Sequence, residues 1–470
     1  MQMKIGFLLK ELIIIAKKQK TDFALYMNMT PSGLSKILSE KGFPVMKERK
    51  IFTKQASDYF AEAIYAPGCY WKFENIFPVI YDFESKDDLQ SFLSYAIEYA
   101  LDNTFTEENN INLDYSERGY FYLGRRPVIS LLCITLSNFI VNNLNEPLEI
   151  YFSAPLSDSS YYRLFQKIKF VGYAKFKNIT LNYFFNKEIL NDSNKIYLND
   201  LILLISKLQK YFRINLWESI SSTSYFLFLK GYILLTFDLQ INGTPVLIPI
   251  HHKSYLAIFY NSLIQREIKK ISYSREEIIH LLEENPERFN NLLEQGVDSV
   301  FNFVSIGYLL NKKELDAATN NSLVSETIWK LFFSILSEKT IFAVSIAAME
   351  KFVSFGKVIA QLIGPVYFPS NERISYLQRL DSYLSNGNHS KIKIINSDLS
   401  NIAMFCFQDF SIVYMINDTY ENEIFHVFRT DKIKTLFYDE YIKDDKVSSV
   451  DFSEDLWKAY QKGLINIDLS

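Results

Sequence analysis

The stretch KTDFALYMNMTPSGLSKIL, residues 20–38, constrains the fold more than any other part of this chain. Its apolar residues recur at helical spacing on both sides of a polar break, which predicts two short helices joined by a tight turn. Each helix has one apolar inner face, and these faces comprise Phe23, Ala24 and Met27, then Leu34, Ile37 and Leu38. A helix-turn-helix has this spacing.

The residues between the two helices favour a sharp change of direction. Asn28 tolerates the left-handed conformation that often ends a helix. Thr30 offers a side-chain oxygen as an N-cap, and Pro31 follows at the first helical position, where its missing N–H costs nothing. The second helix is therefore predicted to begin at Pro31.

Two helices of this length bury too little apolar surface to fold alone, so a partner helix is required. Residues 3–18 supply one, with apolar residues at helical spacing: Ile5, Leu8, Leu9, Leu12, Ile13 and Ala16. A further helix is predicted from Lys50 to Tyr65, with an apolar face of Ile51, Ala56, Tyr59, Phe60 and Ile64. Together these predict an all-α N-terminal module.

Charge is distributed unevenly along the chain, whose net charge is −4. Residues 1–60 hold eleven lysines and arginines against five aspartates and glutamates, a net charge of +6, so the remainder carries −10. A basic module beside an acidic body is the pattern expected when one end meets phosphates and the other does not.

Residues 3–65 resemble the helix-turn-helix domain of the lambda-repressor-like (XRE) family. The residues that carry the resemblance are Phe23, Ala24, Met27, Met29, Leu34 and Ile37. The chain departs from the family at Asn28, where the family usually has glycine. The resemblance implies that the helix from Pro31 to about Glu40 enters the major groove of double-stranded DNA. It places these residues at base- or phosphate-facing positions or at the helix end: Thr30, Ser32, Gly33, Ser35, Lys36, Ser39 and Lys41.

A basic stretch follows the second helix, and its Lys47, Arg49 and Lys50 are suited to phosphate contacts that position a module without reading sequence. The second helix itself has no Arg, Gln or Asn for bidentate base contacts, so Lys36 is the best candidate to contact a guanine. We therefore expect phosphate, water and DNA shape to contribute as much as direct base reading. The alternative is a helical hairpin used only for packing or dimerisation.

The whole chain of 470 residues is too long for one core, and its patterns predict a multidomain, helix-rich α+β protein. We predict a helix-turn-helix domain over 1–66 and a helical connector over 67–114, which ends in a polar loop from Asp102. A small α/β unit over 115–190 and a mixed helical and antiparallel-sheet body over 191–470, for sensing and oligomerisation, complete the chain.

Within the α/β unit, strands at 148–154 and 179–185 flank a short helix at 161–168, which suggests parallel pairing. The loop between the first strand and the helix is rich in hydroxyls at a position where such units bind ligands. Its serines, Ser153, Ser157, Ser159 and Ser160, are a candidate ligand loop. It lacks the glycines of a nucleotide-binding loop, and a plain connecting loop is the alternative.

Further along, Asn242–Gly243 between two apolar runs predicts a β-hairpin. Helical spacing is present over 190–230, 274–293, 323–336 and 341–363, and four strands are predicted between 391 and 428 as an antiparallel meander. No internal repeat is evident in the sequence.

Signatures of hydrolases, nucleotide enzymes and metal sites are absent from the sequence, so no catalytic residue, metal or cofactor is expected. Its three cysteines are widely spaced and no apolar run is long enough to span a membrane, which favours a cytoplasmic protein without membrane contact.

The leading hypothesis is a sequence-specific, DNA-binding transcriptional regulator that binds as a homodimer to half-sites about 34 Å apart. A large body that senses a small-molecule or peptide effector would complete it. Two alternatives stay open: a defence- or toxin-like effector enzyme that uses the helix-turn-helix for autoregulation, and a peptide- or protein-responsive switch.

Overall fold

The computed structural model describes residues 3–42, 44, 48–109, 121–153, 159–176, 178–186, 195–219, 225–265, 268–337, 339–383, 392–397, 399–417, 422–443 and 449–451. The described residues form sixteen α-helices: α1 (Ile5–Ile15), α2 (Lys20–Tyr26), α3 (Pro31–Leu38), α4 (Arg49–Ile64), α5 (Lys86–Asn109), α6 (Arg125–Asn142), α7 (Ser159–Lys167), α8 (Lys195–Gln209), α9 (Lys253–Ile264), α10 (Arg275–Glu284), α11 (Pro286–Gln295), α12 (Lys312–Ala318), α13 (Ser322–Ile335), α14 (Ile346–Phe355), α15 (Ser370–Tyr383) and α16 (Lys432–Tyr441).

The same residues form twenty β-strands, so the protein is a mixed α+β protein as predicted: β1 (Val79–Tyr81), β2 (Tyr122–Leu123), β3 (Leu148–Ser153), β4 (Ile168–Phe170), β5 (Ile179–Asn186), β6 (Arg213–Ser219), β7 (Phe226–Leu229), β8 (Ile233–Leu239), β9 (Pro245–Ile250), β10 (Ile268–Lys270), β11 (Ser272–Ser274), β12 (Ser299–Asn302), β13 (Ile341–Ser345), β14 (Lys357–Ala360), β15 (Gly364–Tyr367), β16 (Ile392–Ile395), β17 (Ile402–Cys406), β18 (Ser411–Asn417), β19 (Asn422–Phe428) and β20 (Ser449–Asp451).

The chain divides into two compact units. Unit 1 comprises Met1–Phe185, Tyr211–Arg213 and Ser219–Ile268, and unit 2 comprises Asn186–Lys210, Ile214–Glu218 and Lys269–Ser470. The predicted segments 1–66 and 67–114 both lie in unit 1, together with most of 115–190. The residues of the predicted C-terminal body, 191–470, are shared between the two units.

The N-terminal helices bury the faces that their apolar spacing predicts. All six residues predicted for the apolar face of the first helix are buried, including Ala16 just past the end of α1, as are the inner faces of α2 and α3. Of the residues predicted for the apolar face of α4, Ala56, Phe60 and Ile64 are buried and Tyr59 is half-buried, whereas Ile51 is 58% exposed, so its predicted place on that face is wrong. The Phe23 ring packs at 4.8 Å from that of Phe60, which ties α2 to α4.

The ends of α1, α2 and α3 share one backbone motif, in which a left-handed residue lets the chain turn back. These residues are Lys17, Asn28 and Glu40, with φ of 52°, 52° and 59°. After each, an N–H donates to the carbonyl five residues earlier, as Met29 does to Ala24 at 2.9 Å. The prediction for Asn28 is confirmed, and two residues without the conformational freedom of asparagine adopt the same geometry.

The two units repeat one strand topology. In unit 1 the order β5-β3-β7-β8-β9-β2 combines a parallel β3–β5 pair with antiparallel pairs over the rest. In unit 2 the order β13-β12-β17-β18-β19-β11 has the same directions throughout. Both sheets begin with a short edge strand, followed by one or two helices and the central strand. A structural repeat is thus present although no sequence repeat is evident.

Several predicted elements match the structure. The α/β unit has its parallel β3–β5 pair, and the hairpin of β8 and β9 turns through Gly243 at a φ of 75°. The single helix predicted over 274–293 is wrong, because Pro286 begins a second helix: α10 starts after Ser274, whose side chain accepts from the Glu277 N–H, and α11 follows from Pro286. The predicted four-stranded meander has only three strands, β17 to β19, because β16 pairs in parallel with β13.

Four further helical or loop predictions are wrong, and three of them fail because short, mostly buried strands have no period that distinguishes them from helix. Strand β1 interrupts the helical connector predicted over 67–114, and α5 extends through Asn109 into the polar loop predicted from Asp102. Strands β6 and β7 occupy the second half of the helix predicted over 190–230. The helix predicted over 341–363 is strand β13, then α14 capped by Ser345, then strand β14.

Candidate nucleic-acid interface

Helix α3 presents one polar face, and its start is capped as predicted. The Thr30 Oγ1 accepts a hydrogen bond from the Gly33 N–H at 3.0 Å, and Pro31 occupies the first turn. Leu34, Ile37 and Leu38 are buried on the opposite face. The exposed residues around α3 are Thr30, Ser32, Ser35, Lys36, Ser39 and Lys41, with Gly33 half-buried. Six of the predicted contact residues therefore lie at the surface around one short helix.

The position of α3 depends on a close approach of α1. A Cβ built on Gly6 would lie 2.5 Å from the carbonyl oxygen of Leu38, at the last residue of α3. The Lys4 Nζ also lies 3.5 Å from the Glu40 carboxylate, just past the end of α3. Gly6 thus allows a close backbone contact between α1 and α3 that any other residue type would prevent. This contact fixes the position of the end of α3.

The basic residues after α3 do not share one environment. Lys50 is exposed. Arg49 is held within unit 1, because its Nη2 donates to the Asp102 carboxylate at 2.7 Å and to the Glu98 carbonyl at 3.0 Å. This pairing ties α4 to α5 and removes Arg49 from the predicted phosphate contacts. Lys47 lies outside the described residues.

The predicted ligand loop is only partly described. Ser153 is the last residue of β3 and is 3% exposed, so it is buried in the sheet and does not face an open loop. Ser159 and Ser160 begin α7, so they are helical and do not belong to the loop as predicted. Ser157 lies outside the described residues.

A second place of interest, missed by the sequence analysis, is a cleft of about 350 Å³ in unit 2 at the end of β12, which is the strand equivalent to β3. Its lining residues come from five separate stretches between 304 and 416, so no local pattern could bring them together. One sequence prediction points to this place indirectly. A ligand loop is predicted after β3, and β3 holds the same position in the strand order of unit 1 as β12 holds in unit 2.

Over the described part of the chain, no group of three or more His, Cys, Asp or Glu side chains is arranged to hold a metal ion. No helix formed by these residues has the length and apolar character needed to cross a membrane. No family model matches the sequence, and no curated protein matches it. The function is therefore inferred from the residues of this chain alone.

Proposed function

We propose that this protein is a sequence-specific DNA-binding regulator in which α3 enters the major groove. The observation that carries the proposal is the division of α3 into a buried apolar face and an exposed face of hydroxyls and lysine. A capped helix with one buried face and one exposed face is the element that such modules insert into the groove. Lys36 is in the best position to reach a guanine, and Thr30 and the serines are suited to phosphate or base edges.

The charge of the N-terminal region supports phosphate rather than protein as the partner. Residues 1–60 carry a net charge of +6 within an otherwise acidic chain. Lys41 and Lys50 are exposed at the end of α3 and the start of α4. A single short helix reads too few base pairs for useful affinity, so we propose a homodimer with its two α3 helices about 34 Å apart.

Selection from a randomised DNA pool at about 0.15 M salt, followed by affinity measurement, tests this function. We expect an enriched sequence to bind at least about a thousandfold more tightly than scrambled DNA of equal length. Lys36→Ala should weaken binding to that sequence by about 1–3 kcal/mol and relax selectivity at one base pair. Ser35→Ala should also reduce the preference, because it removes a polar contact from the same face.

Two comparisons make this test specific. Lys50→Ala should weaken binding to all sequences equally and reduce the salt slope by about one, as loss of a phosphate contact does. Lys313→Ala removes an exposed lysine from α12, in unit 2, and should leave DNA affinity unchanged. If no sequence is enriched, or if Lys36→Ala leaves the preference intact, α3 serves packing or dimerisation instead.

A further inference from the structure

The cleft of unit 2 lies at the end of β12, beside the start of β17. Val304 and Ser305 line it just past β12, and Asn401 lines it just before β17, the antiparallel neighbour of β12. The chain leaves β12 toward β13 on the other side. The cleft therefore lies outside the carboxyl end of β12, and the carboxyl ends of strands are the usual place for a ligand in an open sheet.

The floor of the cleft is apolar and held in place by backbone contacts. Val304, Ile359 and Ile416 line it, and each is at most 3% exposed. The Ile359 N–H donates to the Ser305 carbonyl at 3.4 Å, and Ile306 forms a parallel bridge with Ile359. A floor fixed by the backbone needs little reorganisation when a ligand binds, which favours affinity.

Two aromatic side chains stand exposed on the walls. Phe355 ends α14 and is 67% exposed, and Tyr367 ends β15 and is 63% exposed. Tyr367 pairs across the β14–β15 hairpin with Lys357, which also lines the cleft. Exposed aromatic rings beside an apolar floor provide faces against which a flat ring system can stack.

The polar residues of the cleft favour negative charge. Lys351 and Lys357 line it, and no carboxylate is among the described residues that do so. The Lys351 Nζ donates to the Asn401 Oδ1 at 3.2 Å. Asn401 has a φ of 63°, and its carbonyl accepts from the Ile416 N–H at 3.0 Å. A residue held in this sparsely populated conformation thus contacts one of the two lysines that line the cleft.

The C-terminus of α14 would by itself place partial negative charge beside the cleft. Arg373 offsets that charge, because its Nη1 donates to the Val353 carbonyl at 2.8 Å and to the Ser354 carbonyl at 3.2 Å. Its Nε donates to the Phe368 carbonyl at 3.3 Å. The helix end that carries Phe355 is thus capped by a cation, which leaves the cleft favourable to an anion.

We propose that this cleft binds a small planar anion, an aromatic or heteroaromatic ring system that carries one acidic group. The rings would lie on Ile359 and Ile416 and stack against Phe355 or Tyr367. The acidic group would contact Lys351 and Lys357. A volume of about 350 Å³ suits one or two fused rings. The site would make unit 2 the ligand-sensing part of the protein, but its binding chemistry does not depend on the DNA-binding proposal.

Three probes of similar size separate the components of this proposal, and all are used with the full chain in the absence of DNA. They are 2-naphthoate, a planar anion; 2-naphthamide, planar and neutral; and decahydro-2-naphthoate, an anion that is not planar. Titration calorimetry or ligand-observed NMR measures each dissociation constant. We expect 2-naphthoate to bind at least tenfold more tightly than either of the other two.

Variants at residues that line the cleft assign the contacts. Lys351→Gln and Lys357→Gln should each weaken 2-naphthoate at least threefold while leaving 2-naphthamide unchanged. Phe355→Ala should weaken both planar probes alike. Matched controls are Lys313→Gln, at an exposed lysine in α12, and Phe333→Ala, at a phenylalanine in α13 that is 74% exposed; neither residue lines the cleft.

Three results would overturn the proposal. One is the absence of saturable 2-naphthoate binding up to millimolar concentration. Another is equal affinity for the three probes, which would indicate a nonspecific apolar surface. The third is a control variant that weakens 2-naphthoate as much as Lys351→Gln does. Each can occur whether or not α3 binds DNA, so failure here is distinguishable from failure of the proposed function.

Discussion

Between pH 6.5 and pH 4, unit 2 is expected to lose much less stability in the His426→Asn variant than in the parent chain. His426 lies in β19, between β18 and β11, and is 1% exposed. Its Nδ1 and the Ser272 Oγ are 2.7 Å apart, and its Nε2 has no hydrogen-bond partner among the residues described. Asparagine can keep the bond to Ser272 but does not titrate.

The sign follows from the pKa of the imidazole. Burial lowers the pKa of His426 to about 3, whereas an unfolded histidine has a pKa of about 6.5. The unfolded state therefore binds the extra proton first. The contribution of His426 to stability is fully present above pH 6.5 and decreases as pH falls toward 3, with a loss of about 3 kcal/mol at pH 4.

Hydrogen exchange of the β19 amides measures the local free energy of opening. It is followed from pH 7 to pH 4 and corrected for the intrinsic exchange rates. His280→Asn is the matched control, because His280 is exposed on α10 beside Glu284. Parallel pH profiles for the parent and His426→Asn would contradict the prediction, whatever the offset in stability at pH 7.

The titration of Glu423 lowers stability as pH rises, which is opposite to the effect of His426. Glu423 must be removed to measure the effect of the histidine alone. It is buried in the same strand, where it accepts from the Leu362 N–H at 3.1 Å and from the Tyr414 hydroxyl at 2.8 Å. Burial raises the pKa of its carboxyl to about 7, so its contribution is present below about pH 4.3 and is lost as pH rises through 7. The profile of His426→Asn is therefore best compared in a Glu423→Gln background.

The variant Gly307→Ala is expected to destabilise unit 2 by about 3 kcal/mol and to abolish 2-naphthoate binding in the cleft. A Cβ at residue 307 would lie 2.0 Å from the Ile359 carbonyl oxygen and 2.7 Å from its carbon. Both atoms belong to backbone that forms the floor of the cleft, so neither can rotate away. The chain must separate at the Ile306–Ile359 bridge, which opens the floor.

Gly42→Ala is the control for this substitution, because the nearest heavy atom to its added Cβ is the Lys36 Cβ at 3.4 Å, an ordinary contact. Its stability should stay within about 0.5 kcal/mol of the parent. Urea unfolding with hydrogen exchange of the β12 and β14 amides compares the two. If Gly307→Ala unfolds at the parent concentration of urea, the close approach does not constrain the floor.

Local patterns predicted the N-terminal helices well because the information for them is local. Helical spacing over a few turns identifies a buried face, and Thr30 and Pro31 mark a helix start through contacts within three residues. The same reasoning failed over 341–363, where a five-residue, mostly buried strand leads directly into a helix whose residues are also mostly apolar. Arg49 shows a further limit of local pattern, since its partner Asp102 is 53 residues away.

The sequence by itself determined α1, α2 and α3, the turn at Asn28 and the basic charge of the region, because spacing, capping and charge are properties of neighbouring residues. Only the tertiary structure decided that Arg49 is paired, that two units repeat one strand order, and that Lys351, Asn401 and Tyr367 line the same cleft. Strand pairing brings together residues tens of positions apart, and a single sequence contains no periodic signal for such contacts.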